Sequence, residues 1–176
     1  MEFDFLVPID NEIIDYKNHL SSQHIGGVMA LHTDDAFPDL SEVKIALVGV
    51  LENRGDEGVA TVVDLTSVRK SLYGLFMGNW KMGIADLGDI LAGNSTMDTY
   101  FAVKKVVASL IKKGIVPIVI GGSQDLTYAL YRAYDELEQM VNLVAIDNKF
   151  DFGKETDRLS STSYLTKMVI DLTIVI

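Results

Sequence analysis

The chain has 176 residues, 48% of them hydrophobic and 23% charged, which is enough to bury the core of one compact domain. Its 25 acidic and 15 basic side chains give a formal net charge of −10, and such a surface repels a phosphate backbone, so non-specific nucleic-acid binding is disfavoured and no nucleic-acid partner is expected. The lack of cysteine excludes a disulfide framework, a thiolate zinc site, an iron–sulfur cluster and a cysteine nucleophile.

The longest nearly uninterrupted apolar run, residues 114–122, is far shorter than a membrane span and contains Pro117. Met1-Glu2-Phe3-Asp4 is acidic where a secretory signal is basic. A cytoplasmic protein without a membrane partner is expected. In chain order, Ile13, Ile14 and Leu20 suit a short helix over 11–20, and 33–41, with Pro38 and several Asp and Ser residues, reads as a loop. Val43 to Val50 is a β-branched apolar run that predicts a strand buried on both faces. Residues 51–60 form a glycine-containing loop, and Thr66 to Phe76 repeats apolar residues at helical spacing.

Gly83 to Gly88 predicts a short strand. Gly93-Asn94-Ser95-Thr96 fits a helix cap better than a glycosylation site. The helix it starts carries a stripe of Val103, Val106, Val107, Leu110 and Ile111, and Lys112-Lys113-Gly114 closes it. Ile115 to Ile120 is the clearest strand. Gly121-Gly122-Ser123 then leads into a helix with Leu126, Ala129, Leu130, Ala133 and Leu137 on one face. Leu143 to Ile146 reads as the next strand, and 168–176 as another. Strands alternating with helices imply a three-layer α/β/α fold with a mainly parallel sheet. Function in such sheets gathers at the carboxyl tips of the strands. Two tips are polar: Gly121-Gly122-Ser123-Gln124-Asp125 and Asp147-Asn148-Lys149-Phe150-Asp151.

These segments resemble the ureohydrolase family of arginase, agmatinase and formimidoylglutamase. The likeness runs from Val48-Gly49-Val50, through Glu52-Asn53-Arg54-Gly55, Val68-Arg69 and Ala85-Asp86-Leu87-Gly88-Asp89, to the two polar tips, with the general pattern nearest the formimidoylglutamase-like branch. The resemblance implies an arginase-like fold over 43–176, after an N-terminal segment 1–42. It also implies a site with two manganese ions that activate a water to attack a guanidinium or formimino carbon.

The departures from the family pattern matter as much. The family has Gly-Gly-Asp-His-Ser at the first tip, where this chain has Ser123 for the aspartate and Gln124 for the metal-binding histidine. At the second tip the family has Asp-Ala-His-x-Asp; Asp147 and Asp151 are kept, but Lys149 replaces the histidine. The family's third motif, Ser-x-Asp-x-Asp, has no place among the 25 residues after Asp151, and Asp171 with Thr173 matches it only by chance. The chain is therefore expected to be incomplete at its C-terminus. An ammonium cannot ligate a metal while charged, and two adjacent carboxylates oppose its deprotonation. The expected site is a degenerate pocket of Gln124, Asp147, Lys149 and Asp151, with Asp147 and Asp151 as the metal ligands if a metal binds at all.

Three readings follow. The first is a family member without a metal cofactor, inactive as an enzyme and acting in binding or assembly. The second is a manganese-dependent hydrolase of formimidoylglutamate or a guanidino compound, seen as a partial chain. The third is a plain α/β binding domain. A small amidine or an anion at the helix start after Ser123 is a candidate ligand, and a homo-oligomer is expected. His19, His24 and His32 match no ligand pattern, and Tyr73 and Trp80 read as core or interface aromatics, with a place at the pocket mouth as the alternative.

Overall fold

A computed structural model describes residues 3–56, 63–154 and 158–173. The order along the chain is β1 (Leu6–Val7), α1 (Asn11–Asn18), α2 (Ile25–Val28), β2 (Ala30–Leu31), β3 (Val43–Leu51), α3 (Leu65–Tyr73), β4 (Gly83–Leu91), α4 (Thr96–Lys112), β5 (Val116–Ile120), α5 (Leu126–Glu136) and α6 (Tyr164–Thr173). β3 lies between β4 and β5 and is parallel to both. β1 joins β4 antiparallel and β2 joins it parallel, so segment 3–42 contributes to the same sheet.

Alternation along β3 sorts the two layers. Ala46, Val48 and Val50 face α4 and α5, together with Val103, Val106, Val107 and Leu110. Leu47 faces the other way, onto Ile13 and Tyr73 from α1 and α3. Each buried Val, Leu or Ile among them contributes about 1.5–3 kcal/mol by leaving water. That burial holds α4 helical despite its valines, which are poor helix formers. The fold is thus a mainly parallel sheet between two helical layers. Ser95 caps α4 through a reciprocal pair with Asp98, as the sequence suggests, and Gly114 ends it at φ +71°.

The α3 layer carries a buried ionic network. Arg69 Nε donates to Asp86 at 2.8 Å and Arg69 Nη2 to Asp89 at 2.7 Å, while the Tyr73 hydroxyl donates to Asp86 at 2.9 Å. Burial works against the Arg69 guanidinium, but the two carboxylates outweigh it and hold its pKa above the ordinary range. β4 runs on to Leu91 rather than ending near Gly88, because Arg69 satisfies the charged side chains that mask the strand pattern.

Three expectations are corrected. Leu143 to Ile146 forms no strand: among the described residues β5 pairs only with β3, and an apolar run without a neighbouring strand has no partner for its backbone groups. The run 168–173 is helical, within α6; Tyr164 and Met168 lie one turn apart and pack on Tyr131 of α5. Residues 174–176, the rest of that expected strand, and 57–60 of the expected loop lie outside the described residues. The helix read as reaching Phe76 stops at Tyr73, and Phe76 forms an antiparallel bridge with His24. Among the described residues, no helix is long and apolar enough to cross a membrane.

Candidate functional site

The connection β3–α3–β4 runs to one side of β3, and β4–α4–β5 returns to the other. The chain therefore switches direction between β3 and β5, and their adjacent carboxyl ends border the crevice where ligands bind in such sheets. The β5 tip turns on Gly121 and Gly122, at φ +83° and +76°. A Cβ on Gly122 would lie 2.7 Å from the Glu52 carbonyl oxygen, so both the dihedral and the space demand glycine. The Ser123 amide then donates to that same carbonyl at 2.9 Å.

Glu52 holds three loops together at this end. Its buried carboxylate accepts from Arg54 Nε at 2.9 Å and from the Thr99 hydroxyl at 2.9 Å. Arg54 continues to the carbonyls of Gly93 and Asn94, at 2.7 and 3.1 Å. Burial raises the Glu52 pKa, but the hydrogen bonds from Arg54 and Thr99 prevail and leave it below its ordinary value.

Beyond this clasp, four buried oxygens have no hydrogen-bond partner among the described residues: Ser123 Oγ, Asp125 Oδ1 and both oxygens of Asp151. The second oxygen of Asp125 accepts from the Tyr100 hydroxyl. Asp125 packs so closely on Gly55 that a Cβ there would collide with its carboxylate. Burial, followed by Asp125, pushes the Tyr100 pKa up.

The four residues singled out in the sequence meet here. Gln124 Nε2 donates to Asp147 at 2.8 Å, and Lys149 Nζ lies 3.9 Å from Asp151 Oδ1. Asp151 is 1% exposed, whereas Gln124, Asp147 and Lys149 are exposed. The Gln124 hydrogen bond, then the neighbouring Asp151, hold Asp147 below the usual carboxylate range. Burial pushes Asp151 up, Asp147 adds to the rise, and Lys149 opposes it.

Manganese favours carboxylate oxygen and neutral imidazole, and these four residues offer two carboxylates and no imidazole. The Gln124 amide is turned to donate to Asp147, and Lys149 offers only N–H donors. Among the described residues, no group of three or more His, Cys, Asp or Glu is placed to hold a metal. Asp171 is elsewhere, accepting from Tyr128 at 2.7 Å and Arg132 at 3.0 Å. His19, His24 and His32 make other contacts, Tyr73 is core, and Trp80 is 68% exposed near the amino ends of β3 and β4. The roles of Tyr100, Thr99 and Glu52 are not marked in the sequence. Only Arg54, two residues after an acid that a strand would bury, hints at the clasp.

Comparison with known proteins adds a family. The arginase-family sequence model matches residues 61–173, more than half of the chain. A search of curated proteins gives no match. Among solved structures, the chain is similar to formimidoylglutamase from Bacillus subtilis subsp. subtilis str. 168, with a TM-score of 0.66 and 15% identity over 92% of this chain and 55% of that one. It is also similar to a hypothetical agmatinase from Burkholderia thailandensis (TM-score 0.63, 20% identity, 76% and 46% covered). A third is Trypanosoma cruzi formiminoglutamase with manganese (TM-score 0.64, 18% identity, 74% and 49% covered). These likenesses show the fold, and the chain spans about half the length of the structures it matches. By its sequence match and its fold, the chain belongs to the arginase family.

Proposed function

We propose that this chain is a family member that binds rather than hydrolyses, its tip pocket being a salt-bridged remnant of a dinuclear metal site. The observation that supports this reading is the pairing of Gln124 with Asp147 and the ammonium of Lys149 beside Asp151. Each surviving acid already has a neighbour that a dication would have to displace. An ammonium cannot lower the pKa of a bound water as a dication does, so the nucleophile of a two-metal hydrolase has no source in these four residues.

The roles left are the binding of a small amidine or anion and assembly with further copies in the cytoplasm. Exposed Val116 and Ile118 on β5, and Val144 and Ile146 beyond α5, support assembly. The test is release of ammonia, formamide or urea from formimidoylglutamate, agmatine and arginine at saturating manganese. No release above the uncatalysed rate is expected; turnover of any of the three contradicts the reading.

A manganese-dependent hydrolase of linear amidines is the second reading. What favours it is the buried carboxylate of Asp151, whose two oxygens lack a hydrogen-bond partner among the described residues and which a cation would satisfy.

A further inference from the structure

Far from the tips, where β3 and β4 begin, the surface opens into a cavity of about 760 Å³, within the range of small-molecule sites. One wall is held rigid. The Ile25 amide donates to Leu75 and the Met77 amide to Gln23, both at 2.8 Å, and the His24 and Phe76 rings stack with centroids 4.8 Å apart. Gly78, at φ +63°, turns the chain toward Trp80. At the floor, a Cβ on Gly83 would lie 2.2 Å from the Glu42 carbonyl oxygen, so the backbones approach closely there. Phe76 is 71% exposed and Trp80 68%, two large rings turned to solvent on one cavity.

Charge gives the cavity its sign. Lys44 and Lys81 line it against the single carboxylate of Glu42, in a chain whose net charge is −10. Neither lysine has an ion-pair partner among the described residues. Exposed rings supply flat apolar area, and ammonium groups pair with carboxylate or phosphate oxygens.

We infer that this cavity is a binding site for a small planar anion: an aromatic or conjugated ring lying against Trp80 and Phe76, with a carboxylate or phosphate held by Lys44 and Lys81. The site is separate from the tip pocket and does not depend on how that pocket functions.

Trp80 is the chain's single tryptophan, so its fluorescence reports on the cavity directly. The whole chain is titrated with naphthoate, adenosine monophosphate and the uncharged naphthamide. Saturable quenching by at least one of the two anions is expected, with naphthamide weaker; the two anions separate a carboxylate from a phosphate ligand. The double variant Lys44→Gln/Lys81→Gln should weaken the anion by about tenfold or more with an unchanged circular dichroism spectrum. The single variants make the same comparison if the double variant melts early. The inference is overturned if neither anion saturates, if naphthamide binds equally well, or if the lysine variants bind as the parent does. It is also overturned if the signal follows protein concentration and sedimentation shows a dimer, which assigns the cavity to a second copy.

Discussion

Gln124 and Asp147 lie 23 positions apart in sequence, and the amide of the first donates to the carboxylate of the second at 2.8 Å. Because that bond is the main cause of the depressed Asp147 pKa, Gln124→Ala should move Asp147 up toward its ordinary value. Carboxyl carbon NMR titration checks this. An unmoved resonance midpoint would mean the bond does not persist in solution.

Asp151 titrates in the opposite sense. Its pKa is raised in the fold by burial and by Asp147, so its contribution to stability is fully present below the unfolded value near 3.8 and is lost as pH rises through the folded pKa. Asp151→Asn keeps the shape without the charge. It should match the parent in stability below pH 3.8 and exceed it at neutral pH. Urea unfolding at a series of pH values reads the crossover.

Glu52 behaves in reverse, since its pKa is lowered by Arg54 and Thr99 against the effect of burial. Its stabilisation is present above the unfolded value near 4.5 and is lost as pH falls through the folded pKa. Glu52→Gln should cost about 1.5–3 kcal/mol at neutral pH, the worth of a charge-assisted hydrogen bond. The deficit should shrink in acid below pH 4.5. Denaturant melts of both proteins at neutral and acid pH make the comparison.

The Arg69–Asp86 pair is held by bonds of 2.8 and 3.2 Å. Arg69→Met leaves a buried carboxylate without its cation and should cost about 3–5 kcal/mol. Adding Asp86→Asn should recover part of that loss. A double variant as unstable as the sum of the two single ones would show that the residues are not coupled.

Much of this architecture is legible in the sequence, for physical reasons. β3, α4 and α5 each bury a face whose period is written in Val, Ile, Leu and Ala, so burial and pattern agree, and half-buried Val119 of β5 packs against the same core. The segment 143–146 has the right residues but no adjacent strand, and a strand exists only by pairing. Residues 168–173 are rich in β-branched side chains yet turn helical, because Tyr164 and Met168 at helical spacing find Tyr131. In the candidate site, Gln124, Asp147, Lys149 and Asp151 are visible as motif positions. Tyr100 and Asp125 are not visible as a pair, since 25 residues separate them and only the packing of α4 against α5 brings them together.

The central claim is that an ammonium and an amide stand where imidazoles would be needed. Isothermal titration of manganese into the purified chain at neutral pH tests it most directly. No saturable heat is predicted, with metal analysis after dialysis showing well under one ion per chain. Saturation at two manganese ions per chain would contradict it.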